Sequence, residues 1–349
     1  MDVVIIGAGP AGANLARLLA GRLDVMVIEA REITHLAPND PVRKACGGLL
    51  APDAQRMLVR LGLGIPKSVL VDPQVFGVEV TDLLQSLKQR YQRFYFNIDR
   101  ERFDRWMVSL IPSSVSIHPK AQFLRYEETD QGIRVIYRQH GVEKSVMTRF
   151  LVGADGANSR VRQQLNLPTS PKRYIAIQEW YKADQSSATF GAYFDPELTD
   201  FYGWTIPKDD AVLVGVVLQP GPTAQQQFTA FKTKLIQSGL SLTTCLRSEG
   251  AFILRPRFTD VVAGKGSVIL IGEAAGAISP SSAEGISYAL KTSLMASQAL
   301  ITQPDEALQH YNRSLWNVRV NLFLKQIKSP AMYWPWLRKL AMKSGIRRL

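Results

Sequence analysis

The sequence predicts an α/β protein whose parallel sheet is interrupted by a mostly antiparallel insert and followed by a helical tail. Three observations carry this expectation. The chain opens on an apolar run, Val3-Val4-Ile5-Ile6, that breaks into Gly7-Ala8-Gly9-Pro10-Ala11-Gly12. Two later apolar runs, 150–153 and 267–271, also end in glycine beside an acid. Between and after these runs lie short β-branched and aromatic stretches separated by turn residues, and a helix-patterned carboxy-terminal segment.

The opening run reads as strand, glycine turn, helix, strand, acid, which is the Rossmann-like dinucleotide-binding pattern in its expected setting. Gly7 permits the tight turn, Gly9 lets a pyrophosphate approach the backbone, and Gly12 lets the helix pack close to the strand. The helix start at Pro10, Ala11 and Gly12 offers free N–H groups and the positive end of a dipole to phosphates. Asp24-Val25-Met26-Val27-Ile28 is the second strand, and Glu29 at its tip is placed to accept hydrogen bonds from ribose hydroxyls.

The later runs narrow the choice of dinucleotide. Phe150–Gly153 leads into Ala154-Asp155-Gly156 and a helix carrying Arg160 and Arg162. Ser267–Ile271 ends in Gly272-Glu273-Ala274-Ala275-Gly276. In this order and spacing, the motifs resemble the FAD-binding pattern of the group that contains p-hydroxybenzoate hydroxylase and geranylgeranyl reductase. That resemblance implies FAD as cofactor, with Asp155 and Gly272 in the binding motifs. It also implies ribityl contact by Glu273, where the family usually has Asp. Asn97–Asp104 matches the family's arginine-led helix and nominates Arg100 as a FAD contact. Gly285 and Ile286 start a helix running to about Ile301, whose amino end would stabilise negative charge on reduced flavin.

The order of motifs predicts a discontinuous FAD-binding domain, residues 1–70, 99–168 and 263–303. The substrate domain occupies 71–98 and 169–262. Its expected strands are Val75–Asp82, Arg93–Asp99, Ile175–Lys182, Thr189–Phe194, Phe201–Pro207, Val212–Leu218 and Gly250–Arg255, with a helix over Gln225–Gln237. Residues 304–349 form a basic helical tail.

Three segments resemble the geranylgeranyl reductase branch. They are Lys44-Ala45-Cys46-Gly47-Gly48-Leu49-Leu50, Tyr202-Gly203-Trp204-Thr205-Ile206-Pro207-Lys208, and Gly272 through Glu284-Gly285-Ile286. Cys46–Gln55 and Glu284–Leu290 are especially similar to the enterobacterial FAD proteins associated with colicin M resistance. Tyr202, Trp204 and Ile206 alternate, so on a strand they share one face and line an apolar pocket or an inter-sheet core. Cys46 is either a buried filler or a group near the flavin, where Lys44 would favour its thiolate. The candidate catalytic residues are therefore Cys46, Tyr202 and Trp204. The four histidines lie outside every motif and receive no catalytic role.

The resemblance implies a FAD-dependent oxidoreductase that reduces C=C bonds of an isoprenoid or polyprenyl lipid by hydride transfer from reduced flavin. Electrons would come from NAD(P)H or a redox protein, since the chain has a single glycine fingerprint. The alternatives are a flavin monooxygenase using NAD(P)H and O2, and a FAD-containing membrane-associated protein without turnover.

Composition fits a globular enzyme of 349 residues, enough for a large core and two domains. Two cysteines 199 positions apart argue against a disulfide framework, and no metal-ligand cluster is expected. The amino-terminal apolar run lacks a basic leader and is expected to be a strand, not a signal peptide. No apolar stretch reaches the length of a spanning helix. The net charge is +12, and nine of the Lys and Arg residues fall between Arg313 and Leu349, where there is no Asp or Glu. Arg313, Asn317, Asn321, Lys325 and Lys328 form a polar stripe at helical spacing, with Leu315, Trp316, Val320, Phe323 and Ile327 on the other side. Such a tail suits peripheral contact with an anionic membrane, or a helix packed on the body with its basic face solvated. Nucleic acid is not an expected partner, because the basic residues are confined to one tail without a recognition module. The expected location is cytoplasmic, at the inner face of the plasma membrane if the tail binds it.

Overall fold

The computed structural model describes residues 1–33, 45–183 and 188–344. Along the chain come β1 (Val3–Ile6), α1 (Pro10–Leu19), β2 (Val25–Ile28), β3 (Leu49–Leu50), α2 (Pro52–Arg60), β4 (Val75–Asp82) and β5 (Leu87–Asn97). They are followed by α3 (Arg100–Ser109), β6 (Ser116–His118), β7 (Ala121–Thr129), β8 (Gly132–Gln139), β9 (Val142–Thr148), β10 (Phe150–Gly153) and α4 (Arg160–Gln164). The inserted region supplies β11 (Lys172–Lys182), β12 (Thr189–Phe194), β13 (Gly203–Lys208), β14 (Ala211–Leu218), α5 (Ala224–Gln237) and β15 (Cys245–Arg255). The chain then returns through β16 (Gly264–Lys265) and β17 (Val268–Leu270) to α6 (Ile286–Thr302), α7 (Ala307–Ser314), α8 (Trp316–Tyr333) and α9 (Pro335–Lys343).

β1 and β2 are apolar at every position and buried on both faces, as strands flanked by helices must be. They belong to a sheet in the order β16-β17-β10-β1-β2-β6, parallel except at β16–β17. α1 and α6 pack together against it. Each Val or Leu buried there contributes about 1.5–3 kcal/mol. The α1–α6 contact is fixed by a buried hydrogen bond from Asn14 Nδ2 to Ser293 Oγ, 2.7 Å. α1 approaches the turn closely because of Gly12: a Cβ there would lie 1.8 Å from the Gly7 carbonyl oxygen.

The second sheet runs β15-β11-β14-β13-β12-β4-β5-β3 and is antiparallel except where β12 meets β4. Pairing of β3 with β5 draws the Cys46-Gly47-Gly48 loop onto its edge. A third, three-stranded sheet, β7-β8-β9, lies outside the expected strands.

Several strand limits differ from expectation. β5 begins at Leu87 and ends at Asn97. Asp99 instead caps α3, accepting the N–H groups of Glu101 and Arg102. β15 starts earlier, at Cys245, because it pairs with β11 over nearly its full length. β13 starts at Gly203, so Tyr202 stands just outside the strand. The tail helix packs through residues other than its expected apolar stripe, while Arg313, Asn317, Asn321 and Lys328 of the polar stripe are exposed. Val318 and Leu322 are buried, whereas Trp316, Val320, Phe323 and Ile327 are exposed and only Leu315 of the expected apolar side is enclosed.

Candidate active site

One cavity of about 560 Å³ joins the two sheets. Its floor is the glycine turn at Gly9, Pro10 and Ala11, its end is the start of α6 at Gly285 and Ile286, and its wall is the second sheet. Cys46, Tyr202 and Trp204 all line it, as do Arg100 and Glu273. Gly7, Gly12, Glu29, Asp155 and Gly272 belong to the turns and helix start that follow β1, β2, β10 and β17; Gly12, Asp155 and Gly272 are next in sequence to the lining residues Ala11, Ala154, Gly156 and Glu273.

The turn fits a dinucleotide. A Cβ on Gly9 would meet nothing within 4 Å, which leaves backbone open to a close ligand. Gly7 has φ +101° and a Cβ there would sit 2.7 Å from the Ala154 oxygen, so the β1 turn and the Asp155 turn touch. Gly272, φ +58°, brings its own turn against Ala11, and its N–H donates to Thr292 Oγ1 at 2.9 Å. Asp155 Oδ2 accepts the N–H groups of Arg160 and Val161, so this carboxylate caps α4; burial raises its pKa.

Glu29 departs from the expected free ribose acceptor. Its Oε2 accepts from Ala8 N at 2.7 Å and from Arg31, and its Oε1 accepts from Arg31 N and Nε, each at 2.9 Å. A ribose hydroxyl must therefore displace part of Arg31, a residue whose role the sequence motif did not reveal. Glu273 Oε1 accepts from Leu254 N at 3.0 Å, tying its turn to β15 while its side chain remains on the cavity.

Arg100 is held by Asp104, Nε to Oδ1 2.8 Å. Burial opposes its charge, but Asp104 and the neighbouring Cys46 thiol outweigh this and raise its pKa. Lys44, expected to influence Cys46, lies outside the described residues; Arg100 and Lys208 are the cations found beside the thiol. Cys46 Sγ accepts from Gly48 N at 3.4 Å.

The loop has steric reasons for its two glycines. A Cβ on Gly47 would come within 2.8 Å of Ile206, and one on Gly48, φ +62°, within 2.3 Å of the Ile98 oxygen. Lys208 locks the loop from beneath. Its buried ammonium donates to Gly48 O (3.1 Å), Asn97 Oδ1 (2.6 Å) and Ile98 O (2.9 Å), and burial lowers its pKa to about 7.

Tyr202, Trp204 and Ile206 all reach the cavity despite the later strand start. Tyr202 Oη donates to Ser282 O at 2.8 Å, and burial raises its pKa. The Trp204 indole lies across Gly215, where a Cβ would come within 2.4 Å of the ring. Gly215 pairs with Trp204 on one side and Gln178 on the other, so the three share one row of the sheet. Phe190, Phe194, Val78, Val80 and Val217 complete an apolar wall.

Some charged residues of the cavity were not among the site residues expected from sequence, Arg93 and Glu284 among them. Arg93 projects from β5 beside Tyr91 and Tyr95. Glu284 accepts from Ser287 N and Oγ at 2.9 and 2.8 Å, capping α6; burial raises its pKa despite those bonds. Position 284 was visible as part of the motif, but its burial was not.

This architecture is that of FAD-dependent oxidoreductases, and the chain belongs to the FAD binding domain family, which matches residues 1–215. FAD is the cofactor that fits the turn. The chain is 41% identical over its whole length to Protein CbrA of Escherichia coli strain K12 and to Protein CbrA of Shigella sonnei, covering 98% of each. Among solved structures it resembles a geranylgeranyl bacteriochlorophyll reductase-like protein from Thermoplasma acidophilum, with TM-score 0.78, 18% identity and 98% of both chains covered. It also resembles PqsL of Pseudomonas aeruginosa, a probable FAD-dependent monooxygenase, with TM-score 0.71, 18% identity, and coverage of 98% of this chain and 99% of that one. The flavin-dependent halogenase CmlS matches with TM-score 0.72 at 18% identity, over 93% of this chain and 62% of that chain. At these identities the structures establish the shared fold.

Proposed function

We propose that this protein is a FAD-dependent reductase of isoprenoid C=C bonds. The observation that supports this most is the apolar wall of Val78, Val80, Phe190, Phe194, Trp204 and Ile206, which lines the same cavity as the glycine turn. A hydrocarbon chain is matched by such a wall, and little of it would have to be desolvated at a cost. The chemistry bound FAD supplies is hydride transfer; the protein supplies orientation and exclusion of water.

Lys208 holds the Cys46 loop in place, and Trp204 lies on Gly215 and lines the cavity. Protonation of the second carbon draws on groups that carry a proton at the wall. Tyr202 is one, held protonated by burial. Glu284 is another, its carboxyl biased toward the neutral form. The electron donor, NAD(P)H or a redox protein, would dock transiently.

The test is mass spectrometry of polyprenyl phosphates incubated anaerobically with the dithionite-reduced protein. The expected product gains two hydrogens per reduced bond. Trp204→Ala should keep FAD and lose roughly tenfold or more in rate, through lost positioning. Likeness to PqsL supports a monooxygenase as the second reading. Oxygen incorporated into a substrate, with no hydrogenated lipid across a broad prenyl panel, would favour it.

A further inference from the structure

The tail helices present their apolar side outward. On α8, Asn321 accepts the Tyr288 hydroxyl at 2.6 Å. Lys325 Nζ lies 5.0 Å from the Tyr288 ring centroid and 3.8 Å from Asp53. Lys325, Lys328 and Met332 line the cavity. Part of the polar stripe is thus turned toward the body. Trp316, Phe323, Leu324 and Ile327 point the other way, with Ile327 58% exposed. On α9, Trp336 and Leu340 are 59% and 60% exposed, and Trp334 stands beside Trp336 with ring centroids 6.4 Å apart.

This face is held firmly. Arg338 is buried and donates through Nε to Asp82 Oδ2 at 2.7 Å, and Tyr333 Oη donates to Ser281 O at 2.5 Å. The aromatic side chains are therefore displayed from an anchored element. The same tail carries exposed Arg313, Lys339 and Lys343, in a segment with no acid from residue 313 onward.

We propose that α8 and α9 form a docking face for an anionic lipid bilayer. Interfacial tryptophans with lysines and arginines match the headgroup region of such a surface in both polarity and charge. A second copy of the chain fits poorly, because a twofold contact would set this basic face against itself. A protein partner's interface core is ordinarily depleted in lysine. Since the inner side of α8 lines the cavity, docking places the cavity beside the bilayer, which deepens the reading of a lipid substrate and rests on it only for delivery.

The test uses the full-length FAD-loaded protein and vesicles of phosphatidylcholine with or without phosphatidylglycerol. Flotation should show binding to the phosphatidylglycerol vesicles, weakened by added salt, and little binding to neutral ones. A Trp334→Ser/Trp336→Ser variant and a Lys339→Glu/Lys343→Glu variant should each bind roughly tenfold or more weakly. Both should keep their FAD content and their anaerobic reaction with a detergent-solubilised prenyl phosphate. Equal binding to both vesicle types, undiminished binding by both variants, or no binding at all would overturn the proposal. Dimerisation abolished by the tryptophan variant, without vesicle binding, would assign the face to a second copy. Vesicle binding with no prenyl reduction would leave the docking face standing and remove the reductase reading instead.

Discussion

Lys208 gains its importance only in the folded chain. Asn97, Gly48 and Ile98 are far from it in sequence, and together they supply three acceptors to one ammonium. Burial lowers its pKa from 10.5 to about 7. Between those values the unfolded chain binds the proton that the folded chain has lost. The contribution of this group to stability therefore rises with pH across that window, by at most about 1.4 kcal/mol per unit. Urea unfolding at several pH values should show this rise, and Lys208→Met should flatten it. The glycine turn gives a second residue-scale prediction. Gly12→Ala has no room beside the Gly7 carbonyl and should destabilise even the apoprotein, by several kcal/mol. Gly9→Ala meets open space and should leave apoprotein unfolding within about 1 kcal/mol while weakening FAD binding. Calorimetry of the two apoproteins separates these outcomes. Gly7, Gly9 and Gly12 were legible in the sequence because backbone geometry demands glycine within a local motif. Lys208, Arg31 and Glu284 were not, because burial and distant partners define what they do.

At the scale of elements, periodicity located α8 but did not decide which side would face inward. Val318 and Leu322 win that competition by reaching the core, and the more extended apolar stripe is left outside. Strand limits were set by pairing: β15 extends back to Cys245 because β11 is long enough to receive it. The same dependence on partners governs α9. Arg338 is paired with Asp82, and both are almost fully enclosed. Arg338→Met would leave that carboxylate without its guanidinium, and should cost about 3–5 kcal/mol. Chemical unfolding measures the loss, and limited proteolysis should show the tail cleaved sooner than in the wild type. In the second sheet, Gly215→Leu should force the Trp204 indole from its row, lowering turnover while FAD stays bound; the retained flavin is read from its absorbance.

At the scale of the whole molecule, two sheets with different tasks meet along one cavity. The parallel sheet builds the cofactor cradle from three strand-to-turn junctions, each of which was recognisable in the sequence. The antiparallel sheet builds a hydrophobic wall, and its alternating residues disclosed the wall but not the volume it encloses. The family, the fold and FAD follow from this architecture, and C=C reduction of a prenyl lipid is the reaction we propose for it. Its most direct test is anaerobic. The FAD of the purified protein is reduced with dithionite, a polyprenyl phosphate is added, and the flavin absorbance band is followed. Reoxidation without oxygen is expected, at a rate that depends on lipid concentration and falls in Trp204→Ala. Flavin that stays reduced with every prenyl lipid until air is admitted would contradict it.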